Sequence, residues 1–179
     1  DYLGPIFEKI FAPFIENGFI NFAYGGGDVG AYLTHHDDVE TIHITGSGRT
    51  HDAIVFGVGE EGGRRKSKNQ PIMNKPISSE LGGVSPTIVV PGPWSNADFK
   101  FQAENIATQK LQNAGHNCIA TQVLVMPEEW VGTEKLLQEV EKVMTNTVDR
   151  TAYYPGADDR QNAARQHPNA KVLDSGVDR

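Results

Sequence analysis

Apolar residues recur along this chain with two alternating periods. Between Pro5 and Asn17 they fall at Ile6, Phe7, Ile10, Phe11, Phe14 and Ile15, close to the spacing of one helix face, and Gly18 supplies a stop. Pro13 predicts a kink in that helix. Phe19 to Tyr24 reads as a strand, Gly25-Gly26-Gly27 as a turn, and Asp28 as the cap of a helix running through Val29, Ala31 and Leu33. The cycle then repeats: Thr41 to Thr45 reads as a strand, Gly46-Ser47-Gly48 as a turn, and Thr50 to Phe56 as a helix. Two strand–turn–helix units in succession predict a parallel α/β sheet, because parallel strands need crossover connections.

The pattern changes character after Phe56. Gly57 to Gln70 mixes glycines with Glu60, Glu61, Arg64, Arg65, Lys66 and Lys68, which predicts a mobile surface excursion. Lys75 to Glu80 reads as a short strand that stops at Gly82-Gly83, and Pro86 to Val90 as a strand stopped by Pro91-Gly92-Pro93. A long helix starting at Asn96 or Asp98 carries Phe99, Ala103, Ile106, Ala107 and Leu111, and ends near Asn113-Ala114-Gly115. Thr121 to Val125 reads as a strand. Thr133 to Met144 is amphipathic, with Leu136, Leu137, Val140 and Val143 on one side. Tyr153-Tyr154-Pro155-Gly156 predicts a turn, and Asp158 to His167 a short helix.

Composition narrows the function classes. A formal net charge of −7 argues against a nucleic-acid binder, which would be basic. No apolar run approaches the length of a bilayer span, so no membrane partner is expected. The single cysteine excludes an internal disulfide framework and suits a reducing compartment, so the expected location is cytoplasmic. The chain opens at Asp1, with no methionine and no leader pattern, which suggests a piece of something longer.

The candidate chemistry centres on that cysteine. Cys118 closes the run Asn113-Ala114-Gly115-His116-Asn117-Cys118, and Glu80-Leu81-Gly82-Gly83 lies upstream. A deprotonated thiol attacks carbonyl carbon, and a carboxylate can activate water to release the acyl group. Against this stands Cys118 as a small buried core residue, the commonest state of free cysteine, and Glu80 as a solvated surface charge. Glu80 sits at an expected strand end, where open α/β sheets bind ligands. Gly46-Ser47-Gly48, between a strand and a helix, suits a phosphate group, since helix N–H groups are free there and glycine permits close approach; a plain tight turn is the alternative. Gly25-Gly26-Gly27 has the same two readings. His116 raises a rival Cys–His hydrolase. His35-His36-Asp37-Asp38 has metal-ligand composition, but adjacent residues rarely converge on one ion, so a solvated loop and no metal are expected.

Taken together, four segments resemble the aldehyde dehydrogenase superfamily: Gly26-Gly27-Asp28-Val29-Gly30-Ala31, Ile42-His43-Ile44-Thr45-Gly46-Ser47, Glu80-Leu81-Gly82-Gly83-Val84-Ser85-Pro86 and Asn113-Ala114-Gly115-His116-Asn117-Cys118. The resemblance implies an α/β fold: the later half of a Rossmann-like cofactor domain, residues 1–82, followed by the first part of an α/β catalytic domain, residues 83–179. It implies oxidation of a small-molecule aldehyde with NAD or NADP, and a homo-oligomer in the intact protein. It assigns the nucleophile to Cys118 and the general base to Glu80, and cofactor contacts to Gly46, Ser47, Leu81 and Gly27. His51 departs from the pattern, standing where the phosphate turn usually ends in glycine. That departure motivates an alternative, a catalytically weak or structural relative. A coenzyme A-acylating relative is a further alternative, against which Glu80 counts.

Overall fold

The structure, a computed structural model, describes residues 3–148 and 150–173 of the chain. It divides into two units, with the division between Leu81 and Gly82. In chain order, the first contains α1 (Gly4–Ile10), α2 (Ala12–Glu16), α3 (Gly27–His35), β1 (Ile42–Gly46), α4 (Gly48–Phe56), α5 (Gly59–Ser67) and β2 (Ile77–Leu81). The second contains β3 (Ser85–Ile88), α6 (Asn96–Leu111), β4 (Thr121–Val125), α7 (Thr133–Asn146) and α8 (Ala157–Arg165). A tight turn, Gln112–Gly115, follows α6 directly.

In the first unit β1 and β2 run parallel, with Ile42 beside Ile77 and Gly46 beside Leu81. Side chains alternate as a half-buried strand requires: Ile42 and Ile44 turn inward while His43 and Thr45 are exposed. The crossover between the strands is made by α4 and α5. The backbone N–H groups of Ile72 and Met73 both donate to the Val55 carbonyl, at 2.7 and 3.2 Å, which ties the returning chain to the end of α4.

Four expectations for this unit need correction. The segment read as a surface excursion contains α5, whose composition is helical in its own way. Glu60 and Glu61 lie in its first turn, and Arg64, Arg65 and Lys66 in its last, each complementing the helix dipole. Glu61 pairs with Arg64 at 2.6 Å and with Arg65 at 3.1 Å. Gly62 is buried, and a Cβ there would run into the Gly57 carbonyl, so the glycine that looked like a loop signal allows close packing. Pro13 does not kink a continuous helix. The helix breaks at Phe11 and Pro13 falls in the first turn of α2, where a missing N–H leaves no bond unmade. Phe19 to Tyr24 joins no strand ladder among the described residues, and Phe19 is 78% exposed. A β-type sequence without a neighbouring strand has nothing to pair with. Asp28 lies inside α3 and makes no capping bond; Gly26 is the cap residue.

In the second unit β3 and β4 are parallel, with an irregularity between Ser85 and Pro86 where proline has no N–H to give. The crossover is α6, opened by a reciprocal cap. The Ser95 hydroxyl accepts from the Asp98 N–H, and the Asp98 carboxylate accepts from the Ser95 N–H at 2.7 Å. The Ser95 hydroxyl also donates to the Asp98 carboxylate at 2.7 Å, and this bond, with the one from the Ser95 N–H, holds the Asp98 carboxyl below the usual carboxylate range. The core is formed by Val89, Phe99, Ala103, Ile106, Leu136 and Val140, where α6 packs along α7. Trp94, Phe99 and Trp130 close one end of it, with the two indoles edge-on at 4.8 Å. Gln109 Oε1 accepts from both the Thr87 and Thr121 hydroxyls, at 3.0 and 2.9 Å, and so satisfies the buried Thr121 while joining α6 to both strands.

Leu136 is fully buried at 0% exposure, whereas its neighbour Leu137 is 43% exposed. Leu136→Ala is expected to cost about 2–5 kcal/mol of unfolding free energy in chemical denaturation. Leu137→Ala should cost well under half of that.

Candidate active site

The first cluster of candidate residues sits at the carboxyl end of the β1–β2 pair. Parallel register sets Thr45 beside Glu80 and Gly46 beside Leu81. Neighbouring strands lie about 4.8 Å apart, so Glu80 and Leu81 flank the start of the glycine–serine turn. Glu80 is exposed and Leu81 is half-buried, as alternation along β2 dictates. On the exposed face His43 Nδ1 meets the Ser78 hydroxyl at 2.8 Å across the strands.

The turn after β1 is organised by Ser47, which caps α4. Its Oγ accepts from the Thr50 N–H at 3.1 Å and meets the Thr50 hydroxyl at 2.9 Å, and its carbonyl accepts from the His51 N–H. Among the described residues nothing bonds the N–H groups of Gly48 and Arg49, and the first turn of α4 holds no acidic residue. A Cβ built on Gly48 would meet nothing within 4 Å. Free donors, the positive end of a helix and an open approach suit an anionic group such as a pyrophosphate. Gly27 begins α3 in a similar way, but Asp28 already places a carboxylate in that first turn. His51 turns to its own helix, with Nδ1 3.4 Å from Asp52 Oδ1, and Asp52 pairs with Lys66 of α5 at 2.6 Å.

The second cluster lies after α6. Asn113, Ala114 and Gly115 all have positive φ, at 52°, 51° and 77°. Glycine adopts this geometry freely and asparagine tolerates it, but for alanine it costs about 1–2 kcal/mol. Such strain persists only where surrounding contacts over-determine it. Three residues beyond the turn, Cys118 is a free and exposed thiol. The buried-core alternative for it is therefore overturned: β4 begins only at Thr121, and the inward positions there go to Ala120 and Thr121. Among the described residues the Cys118 N–H has no hydrogen-bond partner.

His116 is not the partner of this thiol. Its ring stacks on Tyr154, with centroids 4.5 Å apart and planes at 18°, and its Nδ1 is buried without a partner among the described residues. No hydrogen bond joins it to Cys118 among the described residues, which removes the orientation that a Cys–His pair needs. Tyr153 stacks on Tyr154 at 4.6 Å and donates its hydroxyl hydrogen to Asn113 Oδ1 at 3.0 Å. The sequence predicts only a turn at these tyrosines, and the aromatic pair before Pro155-Gly156 is the one signal of a further role. Of the predicted site residues, Glu80, Leu81, Gly46 and Ser47 are brought together in the first unit, with Gly27 on α3, and Cys118 belongs to the second.

Parallel strands, helical crossovers and an anion-ready turn at the carboxyl end of a strand pair define an α/β protein. A model of the aldehyde dehydrogenase family matches residues 3–167. Among curated proteins the chain is 30% identical over 154 residues to lactaldehyde dehydrogenase of Methanococcus maripaludis, covering 83% of this chain and 29% of that protein. It is 32% identical over 125 residues to D-glyceraldehyde dehydrogenase (NADP(+)) of Thermoplasma acidophilum, covering 69% of this chain and 22% of that protein. A crystal structure of an aldehyde dehydrogenase from Bartonella henselae shares the fold at a TM-score of 0.63 and 20% identity, over 90% of this chain and 33% of that one. The chain belongs to the aldehyde dehydrogenase family, and it spans under a third of the length of these relatives.

The Asp52–Lys66 pair gives a local titration test. The Lys66 ammonium, more than any other group, holds the Asp52 carboxyl below its ordinary value of 3.8. The folded-state value is the lower one, so the pair stabilises above 3.8 and that stabilisation fades as pH falls through the lowered value. In Lys66→Met, carboxyl-detected NMR titration should find the Asp52 value raised towards the ordinary one.

Proposed function

We propose that the intact protein oxidises an aldehyde to a carboxylic acid with NAD or NADP, using Cys118 as nucleophile and Glu80 as general base. The observation that carries this reading is the exposed Cys118 thiol following a strained left-handed turn, with its own N–H unbonded among the described residues, in a chain of the aldehyde dehydrogenase family. An exposed cysteine in a strained loop is poorly explained by packing and well explained by chemistry.

On this reading the Cys118 sulfur, as thiolate, adds to the aldehyde carbon. A carbon–sulfur bond forms and the carbonyl π pair moves onto oxygen. The free Cys118 N–H stands ready to donate to that oxyanion. The N–H groups of Gly48 and Arg49, which have no partner among the described residues, would with Gly46 and Ser47 hold the dinucleotide pyrophosphate, with Leu81 and Gly27 as further contacts. NAD or NADP, when bound there, would supply the hydride acceptor; loss of hydride from the substrate carbon, with the oxyanion pair re-forming the carbonyl, would leave an acyl thioester on Cys118. Glu80 then takes a proton from water, the resulting hydroxide adds to the thioester carbon, and the carbon–sulfur bond breaks to return the thiolate and release the carboxylic acid. The relatives, lactaldehyde and D-glyceraldehyde dehydrogenases, support a small aldehyde as substrate. The same reading makes the intact protein a cytoplasmic homo-oligomer, with Cys118 kept reduced by its compartment.

His51 favours a second reading, a relative with weakened nucleotide binding, because it replaces a glycine of the expected phosphate turn. Titration calorimetry of the intact protein with NAD and with NADP separates the two. Binding of either supports the enzyme, and no detectable heat with both supports the second reading. In the enzyme, Cys118→Ala should abolish aldehyde oxidation, and Glu80→Gln should slow turnover by roughly 10²–10⁴-fold while the acylated protein accumulates. Full activity in Cys118→Ala would end the proposal.

A further inference from the structure

We propose that Tyr153 and Tyr154 are positioning residues for Cys118, locking the left-handed turn before it so that the thiol and the residue-118 N–H are presented in one orientation. The inference rests on the reading of Cys118 as nucleophile. Three consecutive left-handed residues do not hold themselves, because alanine at the second place disfavours that geometry. The two tyrosines grip the turn at both ends. Tyr153 binds Asn113, its first left-handed residue, through the 3.0 Å bond to Oδ1. Tyr154 covers His116, the residue just after the turn, with its ring. The 4.6 Å stack between the tyrosines joins the two grips into one clamp.

Core packing does not account for these rings, since Tyr153 is 68% exposed and Tyr154 42%. Residues that bury so little apolar area contribute chiefly through the contacts they make. Tyr154 beside it pushes the Tyr153 hydroxyl above its ordinary value of 10.0, so the group remains a hydrogen-bond donor throughout the neutral range. The grip on Asn113 spans forty positions of sequence, and so fixes the turn from a distant part of the unit.

The test uses the intact protein with Tyr153→Phe, Tyr154→Leu, Tyr154→Phe, Asn113→Ala and the Tyr153→Phe/Asn113→Ala pair. Two readouts are taken: kcat and KM for aldehyde, and the rate of Cys118 alkylation by iodoacetamide, mapped to the residue by mass spectrometry. Tyr154→Leu is expected to lower kcat roughly 10- to 100-fold with little change in nucleotide KM, and to shift the alkylation rate several-fold. Tyr154→Phe keeps the stack and should restore both. Tyr153→Phe and Asn113→Ala remove the same bond, so the double variant should lose no more than either single one. Losses that multiply in the double variant, or a Tyr154→Leu protein unchanged in both readouts, would overturn the proposal. So would a loss that falls only in step with the thermal midpoint. Aldehyde oxidation surviving in Cys118→Ala sinks the proposed function instead, and the alkylation rates then still decide whether the clamp exists.

Discussion

Parallel strand pairing is the constraint from which the rest of this molecule follows. Two strands that run side by side in the same direction cannot be joined by a tight turn, so the chain must travel back over the sheet between them. In the first unit α4 and α5 make that journey and in the second α6 does. The same constraint gathers the carboxyl ends of both strands of a pair at one edge. Thr45-Gly46 and Glu80-Leu81 are separated by more than thirty residues of sequence, yet the register alone makes them neighbours. An anion-ready turn and an exposed carboxylate thus come together without any direct bond between them. A one-residue slip of β2 would turn Glu80 to the inward face and Leu81 outward, so the inward isoleucines of β1 and β2 also fix the direction of the acid.

Where local chemistry decides the structure, the sequence was a good guide. Thr121 to Val125 forms β4 over the residues that read as a strand, and α6 starts where Ser95 and Asp98 can cap each other. The amphipathic stripe of α7 places Leu136 and Val140 in the core. These features need only neighbours within a few residues, or a face that any apolar partner can cover. The glycine–serine turn was readable for the same reason, since a cap and the residues it binds lie within one helical turn.

Features that depend on distant partners were not readable. Gly62 looks like a breaker, and only the close approach of the Gly57 carbonyl shows that it is a packing residue inside α5. Phe19 to Tyr24 has strand composition, but composition does not supply the neighbouring strand that would make it a ladder. Among the site residues, the exposure of Cys118 could not be derived from its type, because free cysteine is more often buried. It follows from where β4 begins: the first inward positions belong to Ala120 and Thr121, which leaves residue 118 outside the core.

The turn before Cys118 shows why backbone conformation at such a site is the hardest thing to foresee. Glycine at 115 announces a left-handed residue, but nothing in Asn113 or Ala114 requires them to share that geometry. An alanine in that geometry goes against its local preference, and the tertiary contacts fall on its flanks, from Tyr153 to Asn113 and from Tyr154 to His116. The strain is thus a property of two chain segments together. A relaxed turn at the same sequence position would return Ala114 to the right-handed region and redirect the chain that leads into Cys118. The orientation of the thiol is therefore set less by the residues beside it than by a pair of exposed aromatic rings.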